Sequence, residues 1–194
     1  MTWIVGAAAA MGYAVGISDI RVTFSDGSER DCLQKIYPIA RFIAAGFAGS
    51  VRIGFEMLNG LAFQLRGAPE NMAFFPQEVA DCLTPLARDV FQSFPPEERA
   101  LHSHLMLLGA HPTVDVGIPG VARCSVHILR SPEFVPAISR IGEVVSIGSG
   151  SGFPPSISRG TCKSFCEPHV TASGRNDGNW RKQPNTRYGH PENN

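Results

Sequence analysis

The first fifty residues alternate short apolar runs with polar turns, a pattern typical of a β-sheet. Turns such as residues 25–28 separate these runs, which read TWIVGA, YAVGIS, IRVTF, QKIYPI and RFIAAGFAG. Residues 2–18 carry no charged side chain, but their three glycines weaken a helix, and the run lacks the basic flank of a signal peptide. We therefore predict buried strands over 3–8 and 13–18, joined by a tight turn near Met11-Gly12.

The apolar period changes from two to three or four at Ser50, which indicates a helix. The helix is expected to end at Arg66-Gly67. A second helix is predicted from Gln77 to Phe94, where prolines stand on both sides, and Pro85 is expected to kink or split it. Apolar strands then return over 104–110, 123–129 and 143–148. The order sheet, helices, sheet predicts an α+β fold with helices on the sheet faces.

The composition changes after Gly152. Residues 153–194 have no apolar periodicity and are rich in Pro, Gly, Ser, Asn and Arg. Such a segment buries too little apolar surface to offset the entropy of ordering. We predict one domain over 1–152 and an irregular or disordered tail over 153–194.

The charge balance argues against polyanion partners. Lys and Arg number 17 and Asp and Glu number 17 in the 194 residues, so the formal net charge is zero. No long-range field draws such a chain to nucleic acid or an acidic membrane, and neither partner is expected. The odd number of scattered cysteines, 5, suits reduced and buried thiols. A cytoplasmic location is the resulting prediction.

Thr2 is the first candidate for chemistry. Threonine is small enough for an aminopeptidase to remove Met1 before it. A terminal threonine then combines nucleophile and base, because its own α-amine, with a reference pKa of about 8, can accept the hydroxyl proton. The alternative is that Thr2 is simply a small second residue.

Asp19 and Lys35 lie on predicted neighbouring strands. A cation beside a terminal hydroxyl favours its alkoxide, and a carboxylate holds that cation charged and oriented; an ordinary surface ion pair is the alternative. The small-residue turn over 45–50 (AGFAGS) precedes the first helix. The Gly49 N–H in this turn could stabilise a tetrahedral oxyanion, although a turn without chemistry would use the same residues.

These segments together resemble the proteasome β-subunit family, most closely its simple bacterial relatives that form the peptidase ring of two-component ATP-dependent proteases. Residues 2–5 (TWIV) resemble the mature start of the family, and residues 19–23 (DIRVT) resemble its Asp-Ser-Arg-x-Thr segment. Lys35-Ile36 and the turn at 45–50 resemble its lysine and its Gly-rich turn. HLMLLGAHP, CSVHILRSPEF and VVSIGSGSG are similar to its second-sheet strands and Gly-Ser-Gly turn. The resemblance covers residues 2–152.

The resemblance implies an Ntn-hydrolase four-layer αββα sandwich, incomplete at its C-terminal end. It implies a threonine-type peptidase that cleaves peptide bonds through an acyl-enzyme on Thr2, tuned by Asp19 and Lys35. Gly49 would donate to the oxyanion, and Ser149 would bind around the terminal amine. The implied partners are a peptide or protein substrate and a homo-oligomeric ring, with an ATPase as a further candidate; no cofactor or metal is implied.

Substrate contacts also follow from the resemblance. Arg21 would brace the Asp19–Lys35 pair beside the substrate. Thr23, Gly49 and Val51 would pair with the substrate backbone in the manner of a β-strand. Phe47 would lie at a specificity pocket that favours small or apolar groups.

Several alternatives stay open. In the family, helices and closing strands follow the Gly-Ser-Gly turn, and residues 153–194 show no such pattern. A non-proteolytic Ntn amidase and an inactive or truncated proteasome-like protein are therefore rival hypotheses. Cys162, Cys166 and His169 invite a zinc interpretation, but three clustered ligands are a weak signal. The histidines beside predicted strands are expected to be structural, with their hydrogen bonds satisfied: His102, His104, His111 and His127.

Overall fold

A computed structural model describes residues 3–9, 12–24, 26–66, 74–111 and 123–149. These residues form strands and helices in the order sheet, helices, sheet. The strands are β1 Trp3–Ala9, β2 Tyr13–Ser18, β3 Arg21–Thr23, β4 Glu29–Asp31, β5 Ile36–Ala40, β6 Ile43–Gly49, β7 Ser103–Ala110, β8 Cys124–Arg130, β9 Ala137–Ile138 and β10 Val144–Gly148. The helices are α1 Val51–Leu65, α2 Pro76–Ser93 and α3 Pro96–Arg99. The predicted α+β class is confirmed.

The strands form two stacked sheets and one hairpin, all antiparallel. A five-stranded sheet has the order β5-β6-β7-β8-β9, and a three-stranded sheet has the order β10-β1-β2. Strands β3 and β4 pair as a separate hairpin. In the three-stranded sheet, β1 lies between its partners, so that Trp3 is opposite Gly148 and Ile4 is opposite Ser18. This register brings the ends of β2 and β10 to the beginning of β1.

Two apolar cores lie on opposite faces of the five-stranded sheet. One core lies between this sheet and the helices, and it includes Phe47, Leu105, Leu107 and Leu129 from the strands. The other lies between the two sheets and includes Ile4, Met106, Val126 and Ile147. The alternation of side chains along β7 explains this division, because successive residues of a strand point to opposite faces. The described residues therefore form three layers: helices, sheet, sheet.

The outer face of the three-stranded sheet carries exposed apolar side chains. Tyr13, Val15 and Ile17 are 47%, 44% and 66% exposed. They alternate with inward-facing residues along β2, as expected for a strand with one buried face. None of the helices in the described ranges is long and apolar enough to cross a membrane. The predicted tail, 153–194, lies outside the described residues.

The structure corrects some of the sequence predictions. Helix α2 is one continuous helix with Pro85 inside it, not two helices. Pro85 lies on the exposed face of the helix. Because proline has no backbone N–H, the carbonyl one turn earlier lacks its helical hydrogen bond, and on this face water can hydrate that carbonyl. The short elements β4, α3 and β9 were not predicted. Cys124 is buried as expected, but Cys32, between β4 and β5, and Cys82, on α2, are exposed; the other two cysteines lie outside the described residues.

Two glycines of helix α1 provide a test of how tightly the helix-to-sheet core is packed. An added Cβ at Gly54 would lie 2.3 Å from ring atoms of fully buried Phe47, whereas at Gly60 it would meet only the flexible end of Leu86 at 3.1 Å. Overpacking costs about 1–3 kcal/mol, more than the roughly 1 kcal/mol that alanine gains over glycine in a helix. We expect Gly54→Ala to lower the urea midpoint and Gly60→Ala, the matched control, to leave it unchanged or raise it. Equal midpoints for the two variants would contradict this packing.

His127 should make the fold acid-sensitive. The side chain is 1% exposed, its Nε2 lies 2.9 Å from Ser125 Oγ, and its Nδ1 has no partner among the described residues. Burial, with a smaller effect from His111, holds the pKa of His127 below its usual value, against an opposing effect of Asp81. The unfolded chain therefore takes up this proton first as the pH falls, so the stabilisation is complete above about pH 6.5 and declines below it.

We expect the free energy of unfolding to fall between about pH 7.5 and 5.5, and to fall less in His127→Gln. Urea titrations at both pH values measure the difference. His104 and His111 also have pKa values lowered mainly by burial, so part of the pH dependence should persist in the variant. An unchanged pH dependence would show that His127 does not contribute.

Candidate functional site

Lys35 is a wholly buried cation. It lies directly before β5 and is 0% exposed. Its Nζ donates to Asp19 Oδ1 at 2.5 Å and to the carbonyl oxygen of Arg21, also at 2.5 Å. An isolated buried ammonium is strongly unfavourable, so these acceptors are needed to keep it charged within the fold. The predicted pairing of Asp19 with Lys35 is present.

Asp19 also holds the beginning of β1. It follows β2, and its backbone N–H donates to the carbonyl of Trp3 at 3.1 Å. In return, the Trp3 N–H donates to Asp19 Oδ1 at 3.2 Å. The same carboxylate oxygen thus accepts hydrogen bonds from Lys35 and from the first described residue of the chain. Thr2, the predicted nucleophile, lies outside the described residues.

Arg21 contributes through its backbone more than through its side chain. Its carbonyl accepts the Lys35 ammonium, while its guanidinium pairs with Glu29 at 3.1 Å and with Asp31 at 2.9 Å across the β3-β4 hairpin. The hydrogen bond with Asp31 raises the pKa of Arg21 and lowers that of Asp31. Arg21 was expected to support Asp19 and Lys35 with its side chain. Instead its peptide carbonyl bonds Lys35, and its guanidinium pairs with Glu29 and Asp31.

An open cleft of about 350 Å³ lies at the end of the sandwich where β6 ends and β7 begins. Four residues predicted from the sequence line it together: Thr23, Gly49, Val51 and Ser149. The other lining residues are Val22, Leu101, His102, His104 and Gly148. A second cleft of about 330 Å³ lies at the opposite end of β6, and none of the predicted site residues lines it. The cleft beside Gly49 is therefore the candidate site.

Gly49 has a backbone conformation that favours glycine. Its φ is 103°, and an added Cβ would lie 2.4 Å from the carbonyl oxygen of His102. Ser50 follows as the N-cap of α1: its N–H donates to the same His102 carbonyl at 3.1 Å, and its Oγ accepts from the Ile53 N–H. The first turn of α1, beginning at Val51, thus borders the cleft, where the positive end of the helix dipole favours negative charge.

Phe47 does not line the candidate cleft. Its side chain is 0% exposed and packs in the helix-to-sheet core. Its ring centroid is 5.0 Å from that of Phe55 on α1. Phe47 therefore does not lie at a specificity pocket of this cleft, contrary to the prediction. Its ring faces α1, and its strand neighbours Gly46 and Ala48 lie on the opposite side of the sheet.

Two histidines in the cleft were not predicted as site residues. The rings of His102 and His104 stack with centroids 6.2 Å apart and planes 14° from parallel. His104 Nδ1 is buried without a hydrogen-bond partner among the described residues, contrary to the expectation of satisfied structural histidines. Burial, with smaller effects of Arg130 and His102, lowers the pKa of His104. The i, i+2 spacing of the two histidines at a strand end was the available sequence signal.

Metal binding has no support in the described ranges. No group of three or more His, Cys, Asp or Glu side chains within them could hold a metal ion. The three residues considered for zinc lie outside these ranges.

Comparison with known proteins does not place the chain in a family. No model of a known protein family matches the sequence, and no curated protein matches it significantly. The function proposed below is therefore derived from the geometry of the cleft and of the buried Lys35.

Removing the carboxylate from the buried pair should destabilise the protein. In Asp19→Asn, Lys35 would lose its anionic partner, which costs about 3–5 kcal/mol for a buried pair. In Lys35→Met the cost should be smaller, because the Asp19 side chain is 28% exposed and can be hydrated. The double variant should be less destabilised than the sum of the single variants. Urea unfolding of the four proteins measures the coupling.

The control is the Arg52–Glu98 pair, whose atoms are 2.8 Å apart but whose arginine is 71% exposed. We expect Glu98→Gln to cost less than about 1 kcal/mol. A loss in Asp19→Asn no larger than in this control would contradict a buried, charged Lys35.

Proposed function

We propose that this protein is an N-terminal threonine hydrolase that cleaves peptide bonds through an acyl-enzyme on Thr2 after removal of Met1. The observation that carries the proposal is the double role of Asp19 Oδ1, which accepts from both Lys35 Nζ and the Trp3 N–H. Thr2 is joined to that Trp3 nitrogen by a peptide bond. A buried ammonium and the residue after the candidate nucleophile thus share one acceptor.

Lys35 has hydrogen-bonding capacity for this role. An ammonium has three N–H donors, and the described residues provide two acceptors, Asp19 Oδ1 and the Arg21 carbonyl. In the proposed site, the remaining N–H is directed at the Thr2 hydroxyl. A nearby positive charge stabilises the alkoxide as it forms and lowers the pKa of the neighbouring α-amine. The amine is then neutral and can act as a base.

The proposed reaction has two stages. In the first, the Thr2 hydroxyl attacks the substrate carbonyl, its proton passes to the α-amine of Thr2, and the proton is delivered to the leaving amine as the C–N bond breaks. In the second, water attacks the resulting ester, gives its proton to the same amine and releases the acid. The hydroxyl of Thr2 is regenerated, so no net redox change or cofactor is required.

The cleft supplies groups for transition-state and substrate binding in this proposal. The backbone at Gly49 borders the positive end of α1 and would donate to the oxyanion. Backbone groups of Thr23, Gly49 and Val51 would pair with an extended peptide. Ser149, one residue after the β10 residue that pairs with Trp3, would bind near the terminal amine.

The fold, location and assembly belong to the same proposal. The three described layers, helices on sheet on sheet, are compatible with an Ntn-hydrolase αββα sandwich that is incomplete at its C-terminal end. A homo-oligomeric ring, an ATPase partner and a cytoplasmic location rest on the family resemblance. The exposed apolar face formed by Tyr13, Val15 and Ile17 would be covered in a complete sandwich or assembly.

A non-proteolytic amidase is the second candidate. The cleft volume of about 350 Å³ lies near the lower end of the range for small-ligand sites, roughly 300–1,000 Å³. Such a site could accept a small acylated amine by the same chemistry. Hydrolysis of small amides but not of peptides would select this alternative.

Covalent labelling tests the proposed nucleophile. A peptide epoxyketone reacts with a free terminal amine and an adjacent hydroxyl, so we expect it to modify Thr2 in protein that has lost Met1. Thr2→Ala should abolish labelling and peptide hydrolysis, Thr2→Ser should retain part of both, and Thr84→Ala, on α2 away from the cleft, should retain both. Intact mass and peptide mapping provide the readout.

Two results would reject the proposal. One is retention of Met1 in a protein that still hydrolyses peptides, because the terminal amine of Thr2 would then be blocked. The other is a probe adduct on any residue except Thr2.

A further inference from the structure

We propose that His102 and His104 form a carboxylate-binding subsite in the cleft and that the preferred substrates carry a carboxylate there. The carboxylate would come from an acidic side chain or from a free peptide C-terminus. The expected effect on catalysis rests on the proposed function. The expected binding of a carboxylate rests only on the geometry of the cleft.

The two imidazoles lie side by side at the beginning of β7. His104 lies on β7, with its side chain on one face of the sheet, and His102 is one residue before β7. Met106 and Leu108 continue this face and pack between the sheets. The rings stack 6.2 Å apart, and both line the cleft together with Gly49 and Ser149. A group bound at Gly49 would therefore lie close to both imidazoles.

The backbone of His102 is fixed in an unusual conformation. Its φ is 54°, which is uncommon for a residue with a side chain and is found at functional sites more often than elsewhere. Its N–H donates to the Arg99 carbonyl at 3.0 Å, and its carbonyl accepts from the Ser50 N–H at 3.1 Å. The ring is thus held beside the Gly49–Ser50 turn by the same hydrogen bonds that shape this turn.

Both imidazoles line the cleft, so either ring can donate to an acceptor atom bound there. A protonated imidazole bonds a carboxylate oxygen more strongly than a neutral acceptor.

The local charges favour an anion. Arg130 on β8 is the register partner of His104, and no Asp or Glu is among the described residues that line the cleft. Glu29 accepts from Oγ1 of the cleft residue Thr23 at 3.3 Å and pairs with Arg21. Its charge is therefore largely compensated by a cation, whereas Arg130 and the two histidines have no recorded anionic partner within the described ranges.

Proton linkage gives the expected pH dependence. In the free protein the pKa of His104 lies below its usual value, mainly through burial and then through Arg130 and His102, against an opposing effect of the Ser103 backbone. A bound carboxylate favours the protonated ring and raises this pKa. Binding then takes up a proton, so affinity for an ionised carboxylate should rise as the pH falls through the interval between the bound and free pKa values.

The first experiment compares capped peptides that differ only in Glu or Gln, each with a free or an amidated C-terminus. We expect kcat/KM to favour one carboxylate-bearing form by about tenfold, with the preference larger near pH 6 than near pH 8. A Glu preference in amidated peptides identifies an acidic side chain, and a preference for free acids identifies a C-terminal carboxylate. In His102→Gln/His104→Gln the preference should disappear, mainly through KM, while His111→Gln should keep it.

A general-acid role for either histidine would give a different result. The double variant would then lose kcat on neutral and acidic peptides alike, and the proposed subsite would be rejected. Retention of the epoxyketone adduct by the double variant shows that its fold and nucleophile are intact.

The second experiment measures binding on the wild-type protein, so it does not depend on a variant that must fold. We expect the capped Glu tripeptide, but not its Gln analogue, to shift the imidazole carbon-bound proton signals of His102 and His104 in NMR spectra and to raise the pKa of His104. These shifts without hydrolysis of any peptide would leave the subsite standing and reject the proposed function. Hydrolysis without a Glu or free-acid preference and without shifts would reject the subsite alone.

Discussion

The buried ammonium of Lys35 is the constraint on which the arrangement of this site depends. A cation that is 0% exposed must be surrounded by acceptors, and the fold provides them from two segments that follow β2: the carboxylate of Asp19 and the carbonyl of Arg21. An apolar side chain of similar size would fill the space without the desolvation penalty. A buried lysine at this position therefore agrees with the proposed catalytic role, which an apolar side chain could not perform.

The register of the small sheet connects this ion pair to the cleft. Because β1 lies between β2 and β10, Trp3 meets Asp19 on one side and Gly148 on the other. The Gly49 turn supplies the other wall of the cleft, and its contact with the His102 carbonyl fixes the beginning of β7. Residues distant in sequence thus converge at one end of the sandwich through strand pairing, and the opposite end lacks the predicted site residues.

The sequence predicted the regular elements well because their apolar periods are clear. The change of period at Ser50 correctly indicated α1, which begins at Val51. The pairing of Asp19 with Lys35 was also predicted, but the two residues do not lie on neighbouring strands: Asp19 follows β2 and Lys35 precedes β5, and these strands belong to different sheets. Side-chain direction was harder to predict. Phe47 was assigned to a pocket although its strand position directs it to the helices, and the cleft positions of His102 and His104 depend on the pairing of β6 with β7. Such details are set by register between distant segments, which periodicity within one segment does not reveal.

In the proposed site the mature Thr2 hydroxyl lies beside the Lys35 ammonium, with Asp19 on the far side of that ammonium. The most direct measurement is the distance from Thr2 Oγ1 to Lys35 Nζ in a crystal structure of the processed protein. The proposed arrangement predicts that Thr2 Oγ1 and Lys35 Nζ lie within hydrogen-bonding distance, about 2.7–3.2 Å. A Thr2 hydroxyl turned away from Lys35, with the ammonium bound only by Asp19 and Arg21, would contradict it.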